Sequence, residues 1–293
     1  MQSINKCPVC QSTNFRHLYT CTDHTVSHET FQIKVCQACS LGTTSPRPSD
    51  HDLSRYYLSQ DYISHSGHAP GLIGNLYRLA RKFTLKYKRK LIEQSHSEGI
   101  LLDYGCGTGE FLYEMKRHGW TIAGFEPSET ARVKAQELTN GTVYAEDNAL
   151  QANHFDVITL WHVLEHVPDP VTTLQHLCGT LKPHGTLYIA VPNFYSPDAK
   201  HYKAGWAGFD VPRHLWHFTK ESMFKLLSHG SFRLVDVVPM KLDSFYVSLL
   251  SERNRGVNPF IAYTRALYHG LHSNWSASTT VNHSSLIYIA KKA

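Results

Sequence analysis

Two sets of residues have types and spacings that chemistry requires. The first is a pair of cysteine knuckles, Cys7-Pro-Val-Cys10 and Cys36-Gln-Ala-Cys39, separated by 25 residues. Paired C-x-x-C knuckles offer four thiolates to a tetrahedral zinc ion, and an ion with every position filled by protein is structural. The spacer suits a strand hairpin. Large apolar residues are few here, so the metal would supply folding energy. Redox-active C-x-x-C pairs belong beside a βαβ unit, which this segment lacks. Cys21 lies outside the pattern and is not expected to be a ligand.

The second set is rich in histidine. It comprises Trp161-His162-Val-Leu-Glu165-His166-Val-Pro168-Asp169-Pro170 and Asp210-Val-Pro-Arg213-His214-Leu-Trp216-His217-Phe218. Helical spacing would put His162, Glu165 and His166 on one face. If both stretches follow strands at one sheet edge, Arg213, His214 and His217 converge on them. Three roles are open. A histidine titrating near neutrality can take a proton from a hydroxyl or amine, as His166 backed by Glu165, or as His214. His162, Glu165, His166 and His214 could instead hold a divalent ion. Or the groups tie the loops together by hydrogen bonds.

A strand, a glycine turn and a helix must position these residues. Ile100–Tyr104 is a short apolar run with an acid at Asp103 and reads as a buried strand. Gly105, Cys106, Gly107, Thr108 and Gly109 form a tight turn, and 110–117 has helical spacing. This is the first unit of a nucleotide-binding α/β fold. A dinucleotide fingerprint is not met, because Glu110 stands at its third glycine and would repel a pyrophosphate. A second strand, 120–125, ends at Glu126, 21 residues beyond Gly105, where an acid can accept hydrogen bonds from both ribose hydroxyls. A helix over 129–138 and strands over 142–145 and 155–160 follow. A helix over 171–181, a turn at Pro183-His-Gly185 and a strand over 186–191 come next. A helix from Thr219 to about Ser228, a strand over 232–238 and a last strand over 286–290 complete the pattern.

The run Asp103-x-Gly-x-Gly-x-Gly109 resembles the first motif of class I S-adenosylmethionine (SAM) methyltransferases, and the 161–170 stretch resembles the segment after strand four in ubiquinone-pathway and other small-molecule methyltransferases. The resemblance implies a Rossmann-like core of seven strands, with the last strand antiparallel beside strand five. It implies that Gly105, Cys106, Gly107 and Gly109 pass under the methionine half of SAM. Asp103 would lie near its ammonium or hold the turn. An acid after strand three, among Glu146, Asp147 and Asn148, would reach the adenine amino group. Trp161 or His162 would contact the cofactor. Small-RNA 3′-end methyltransferases use a related E-x-x-E-H metal pattern, whose first acid is His162 here. Zinc-ribbon deoxysugar C-methyltransferases share the modular plan but carry a further C-terminal domain for which this chain lacks the length.

The chain of 293 residues has a net charge of +5 and seven cysteines. An odd cysteine count without a signal-peptide core leads us to expect reduced thiols in a cytoplasmic protein, and no run is apolar enough to span a membrane. The expected organisation is a zinc ribbon over 1–45, a helical linker or lid over 46–98, and a SAM-binding domain over 99–293 with insertions at about 194–218 and 239–283. In the linker, Leu72, Leu76, Leu79, Phe83, Tyr87 and Leu91 mark an amphipathic helix. Tyr56, Tyr57 and Tyr62 would form a lid or pack the ribbon on the core. The 239–283 insertion would cover the site or form a partner surface. The expected activity is SAM-dependent O-methylation of a small hydroxylated metabolite, a saccharide, lipid or other precursor, with a histidine general base. The alternatives are an RNA methyltransferase that docks through the ribbon and the basic stretch from Arg78 to Lys90, and a non-catalytic SAM-binding scaffold. The oligomeric state is not legible.

Overall fold

A computed structural model describes residues 1–57 and 72–293, with the side chains of 50, 51 and 72–78 outside the description. Tyr62 and the side chains of Leu72, Leu76 and Arg78 therefore lie outside the described residues.

The N-terminal segment forms strands β1 (Phe15–Thr22), β2 (Thr30–Cys36) and β3 (Gly42–Thr44). A one-turn helix, α1 (Asp50–Leu53), follows; Ser49 caps it by accepting from the Asp52 amide. Helix α2 (Leu72–Glu93) leads into the main sheet. That sheet is built from β4 (Ile100–Tyr104), α3 (Glu110–Lys116), β5 (Thr121–Phe125), α4 (Glu129–Thr139), β6 (Thr142–Tyr144), β7 (Phe155–Trp161), α5 (Pro170–Thr180) and β8 (Leu181–Pro192). After β8 come α6 (Pro197–Tyr202), β9 (Trp216–His217), α7 (Lys220–His229), β10 (Phe232–Pro239), α8 (Asp243–Asn254), α9 (Pro259–Ser276) and β11 (Ser285–Lys292).

The main sheet has seven strands in the order β10-β11-β8-β7-β4-β5-β6. Strands β4 to β8 run parallel, and β11 inserts antiparallel between β8 and β10. The chain winds outward from β4 to β6 and then returns to β7 on the other side of β4. The carboxyl ends of β4 and β7 therefore flank the topological switch point, where ligands bind in such sheets. Both faces are covered, which is why the parallel strands are continuous apolar runs. Leu101 packs with Met115, Trp120 and Ile92 on one face. Leu102 packs with Leu160, Leu187 and Leu226 on the other.

The ribbon is joined to this core rather than hung from it. Strand β9, from the loop after β8, pairs with β3 and completes a four-stranded sheet β1-β2-β3-β9. Cys7, Cys36, Cys39 and Leu41 belong to the same apolar cluster as Leu102 and Trp216. Gly42 is required at this seam, because a Cβ there would lie 2.8 Å from Cβ of His217.

Several expectations need correction. Residues 162–168 form a turn and not a helix. His162 takes a left-handed φ of 59°, which breaks the helical path, and the His166 amide closes the turn on the Val163 carbonyl at 2.9 Å. The Pro183–Gly185 turn lies inside β8 as a bulge: Leu181 pairs with Phe155 and Thr186 with Val157, so the residues between are looped out. Among the described side chains, the apolar stripe of α2 faces the core only in part. Leu79, Phe83 and Tyr87 are exposed, while Leu91 turns inward together with Leu85, Lys88 and Ile92, which lie off the stripe.

Candidate active site

The cofactor half is made by the ends of β4, β5 and β7. Asp103 is buried at the end of β4 and accepts from the Thr159 hydroxyl at 2.6 Å. Burial pushes its carboxyl up to about 7, against the opposing pull of that hydrogen bond and of Lys88. In the turn, a Cβ on Gly105 would meet Val163 at 2.5 Å, and one on Gly109 would meet the Ala135 backbone at 2.9 Å. Gly107 has a positive φ and open space where a side chain would be. The turn is braced from β5: Glu126 accepts from the Gly107 amide and the Ser128 amide, each at 2.9 Å. Cys106 is buried behind the turn, and burial pushes its thiol up. Asp147 accepts from the Tyr104 hydroxyl at 3.1 Å, whereas Asn148 is exposed beside it. Trp161 ends β7, edge-on to Phe111 at 5.3 Å, with a buried indole N–H that has no partner.

Two charged groups close this half from outside the α/β core. Lys88 of α2 places its ammonium 4.4 Å from the Trp161 ring centre, and burial lowers its pKa to about 8. His162 sits between Glu165 (3.4 Å) and Asp243 at the start of α8 (3.1 Å). Burial disfavours its charge, but those two carboxylates outweigh it and raise the imidazole to about 9.

Beside the cofactor half lies a cavity of about 400 Å³. Its walls come from the β1 end of the ribbon (Thr22, His24), from α2 (Lys88), from the loop after β8 (Trp206, His214) and from α8 (Asp243, Tyr246). None of the glycine-turn residues lines it among the described residues; Lys88, which stands over Trp161, and His162, which follows β7, are part of its wall.

Hydrogen bonds lock the 206–218 loop in place. The Leu215 amide donates to the Glu165 carbonyl (2.8 Å), the Trp216 indole to the Val167 carbonyl (2.8 Å) and the Thr44 hydroxyl to the His214 carbonyl (2.7 Å). Arg213 is buried and donates to Asp23 of the ribbon (2.9 Å), to Asp210 (2.7 Å) and to the Tyr56 carbonyl (3.0 Å). It bolts the ribbon to the loop and is also part of the cavity wall. His217 is buried against Phe209 with Nε2 3.0 Å from the Thr44 hydroxyl, and it does not reach the cavity.

His166 and His214 stand edge to face, with ring centres 4.7 Å apart. Nδ1 of His166 donates to the Arg213 carbonyl at 3.0 Å, with the Tyr57 hydroxyl 3.1 Å away. Nδ1 of His214 donates to the Gly208 carbonyl at 3.0 Å. A carbonyl only accepts, so each Nδ1 carries a proton and, in a neutral ring, the lone pair is on Nε2; Nε2 of His214 has Asp210 Oδ2 3.9 Å away. Burial, then His214, lowers His166 to about 4, which makes it a weak base.

In the ribbon, the Cys7–Cys39 and Cys10–Cys36 sulfurs are each 3.4 Å apart, and all four lie within 4.8 Å of one another. Zinc–sulfur bonds of about 2.3 Å imply a tetrahedral edge of about 3.8 Å, so the donor set fits. The Cys39 interaction lowers the Cys7 thiol to about 5 and raises that of Cys39, as expected for thiols crowded enough to share a charge.

A methyltransferase-domain family profile matches residues 75–237, more than half of the chain. The chain belongs to this methyltransferase family. The ubiquinone biosynthesis O-methyltransferase of Histophilus somni (strain 2336) is 36% identical over 110 residues, covering 33% of this chain and 46% of the relative. The chain thus spans about half the length of the curated relatives it matches. Magnesium protoporphyrin IX methyltransferase from Synechocystis PCC 6803, solved with bound SAH, superposes with a TM-score of 0.55 at 14% identity, covering 83% of this chain and all of that one. The cyclase SpnF superposes with a TM-score of 0.54 at 16% identity, covering 84% and 98%. At such identities these likenesses concern the fold, and the second belongs to a protein named for another reaction.

Within this methyltransferase fold, Asp103, Gly105, Gly107, Gly109, Glu126, Asp147 and Trp161 gather at one sheet edge, and Glu165, His166 and His214 form a second cluster beside it. Reading the sequence missed Lys88, Asp243 and Asp23. Nothing in the sequence distinguishes Lys88 from the other basic residues of α2. Asp23 and Asp243 gave no signal either, because their partners lie 190 and 81 residues away. In the basic stretch of α2, Arg81 pairs with Glu110 (2.7 Å), Arg89 with Glu93 and Glu114, and Lys88 is in the cavity, whereas Lys82, Lys86 and Lys90 are exposed.

Proposed function

We propose that the protein transfers a methyl group from SAM to an oxygen of a small hydroxylated metabolite held in the 400 Å³ cavity. SAM supplies an electrophilic methyl on a sulfonium. The open side of Gly107, the acids Glu126 and Asp147 and the unpartnered Trp161 indole fit its methionine, ribose and adenine parts. Lys88 and His162 place positive charge where the cofactor half meets the cavity, which is the acceptor half. The curated relatives named as O-methyltransferases support oxygen as the acceptor atom.

The observation that carries the reading is His214. It lines the cavity with Nδ1 committed to Gly208, so Nε2 is available to accept the acceptor's hydroxyl proton as the oxygen attacks. Arg213 holds the loop that carries it and acts by position. Enzyme catalysis in such displacements is chiefly alignment plus uptake of that proton. The four-cysteine cluster holds zinc and keeps the ribbon wall of the cavity folded. The test is transfer of labelled methyl from SAM to a panel of hydroxylated small molecules. Label incorporation that falls with His214→Gln supports the reading. Incorporation only into RNA, or SAM binding with no transfer to any acceptor, overturns it.

A second reading places a divalent ion on Glu165, His166 and His214. Glu165 is fully buried, and neither of its oxygens accepts a hydrogen bond, although His162 forms an ion pair with it. One donor from each residue lies within 4.8 Å of the others. Turnover that depends on added Mg2+ or Mn2+ with the ribbon metal kept in place would favour this reading over direct proton uptake by His214.

A further inference from the structure

A second buried carboxylate, outside the catalytic cleft, also lacks hydrogen-bond partners. Glu252 is in α8, fully buried, and neither of its oxygens accepts a hydrogen bond. Arg255 and Arg265 approach it at 3.7 and 3.6 Å, beyond hydrogen-bond reach, and both guanidiniums are substantially exposed. The buried hydroxyls of Tyr202 and Ser248 likewise complete no hydrogen bond. A carboxylate so placed is costly unless something else satisfies it.

Two imidazoles stand against this carboxylate. His201 of α6 and His269 of α9 stack with ring centres 3.9 Å apart and planes 27° from parallel. One donor atom from each of His201, Glu252 and His269 lies within 4.8 Å of the other two. Three helices thus bring two imidazoles and one carboxylate that accepts no hydrogen bond to one point.

We propose that His201, Glu252 and His269 bind a divalent transition-metal ion of the zinc type. Two nitrogen donors and one carboxylate suit Zn2+, Co2+ or Ni2+ better than Mg2+ or Ca2+, and three protein donors leave a fourth tetrahedral position to water. The two arginines are the main opposing charges. They are exposed enough to be screened and to turn toward solvent when the ion arrives. The ion ties α6 to α8 and α9, and α8 carries Asp243, Tyr246 and Val247 of the cavity wall. The site is separate from the cysteine cluster and does not take part in methyl transfer. It fixes the helical insertion to the loop after β8.

The test is metal content of the full-length protein loaded with zinc and freed of excess, for wild type, His269→Ala and Glu252→Gln. Glu252→Gln keeps the side chain's size, so a loss there reports the donor and not a cavity. Wild type is expected to hold one more zinc per chain than either variant. Loaded with cobalt, it should show visible absorption that both variants lose, while the thiolate-to-cobalt bands of the four cysteines persist in all three. Equal metal content in all three proteins overturns the proposal. Failure of the ribbon reading would show instead as missing thiolate bands in every protein, with the one-equivalent difference intact.

Discussion

The cofactor half of the site comes from one stretch of chain, Asp103 to Trp161, and its groups sit at the ends of neighbouring parallel strands. The acceptor half is collected from the ribbon, α2, the loop after β8 and α8, and it holds together through a buried ion pair and a shared strand. The first half is built by local rules: a strand, a glycine turn that needs positive φ, a helix, an acid one strand over. The second depends on contacts between residues far apart in sequence. A lesion in one half should therefore leave the other largely working, and the sharpest experiments set one against the other.

The largest effect is expected at His214. His214→Gln should lower methyl transfer by about 100- to 10,000-fold, the range of a lost general base, while SAM affinity stays within about threefold. Loss of SAM affinity in step with turnover would show that the halves are not separable there. Next is the bolt. Arg213→Met leaves Asp23 and Asp210 without their guanidinium and should cost about 3–5 kcal/mol of stability, as breaking a buried pair does. Chemical denaturation reads this, and a change below about 1 kcal/mol would mean that the ribbon is held by the β3–β9 pairing alone.

Smaller effects probe the turn and its charges. Gly109→Ala forces a left-handed φ on alanine, at about 1–2 kcal/mol, and drives its Cβ against the Ala135 backbone at 2.9 Å. The unfolding midpoint should fall and SAM affinity with it, and an unchanged protein would refute the close approach of α4 to the turn. The smallest effect is a pH dependence. His162 is raised to about 9, so the stability it contributes is complete below its unfolded value near 6.5 and is lost as pH rises through 9. The stability gap between wild type and His162→Gln should shrink from pH 6 to pH 10, and a constant gap would remove the ion-paired histidine.

The same contrast explains what the sequence made legible. The β4–turn–α3 unit and Glu126 were readable because period and spacing are local, whereas Glu146, Asp147 and Asn148 stayed equivalent. Glu165, His166 and His214 were named correctly as neighbours, yet by way of a helix that is a turn, since His162 leaves the right-handed region. His217 looked equivalent to His214, but it lies on β9 and packs against Phe209 and Thr44 at the ribbon seam. In α2 the apolar period holds at Leu91 but fails at Leu79, Phe83 and Tyr87, which are exposed, while the helix turns Lys88 inward to stand over Trp161. A contact far along the chain draws a charged side chain onto a face that hydrophobic patterning does not select.

The most direct test of the division is equilibrium binding of SAM by titration calorimetry to wild type, Gly107→Asn and His214→Gln. Gly107 has open space around it but a φ of +55°, which asparagine adopts far more readily than a β-branched residue, so asparagine there should leave the fold standing while filling the side on which the cofactor is placed. Wild type and His214→Gln should bind SAM alike, and Gly107→Asn should bind at least tenfold more weakly. Equal binding by all three, or none by the wild type, would contradict the placement of the cofactor on the glycine turn and with it the account of the site.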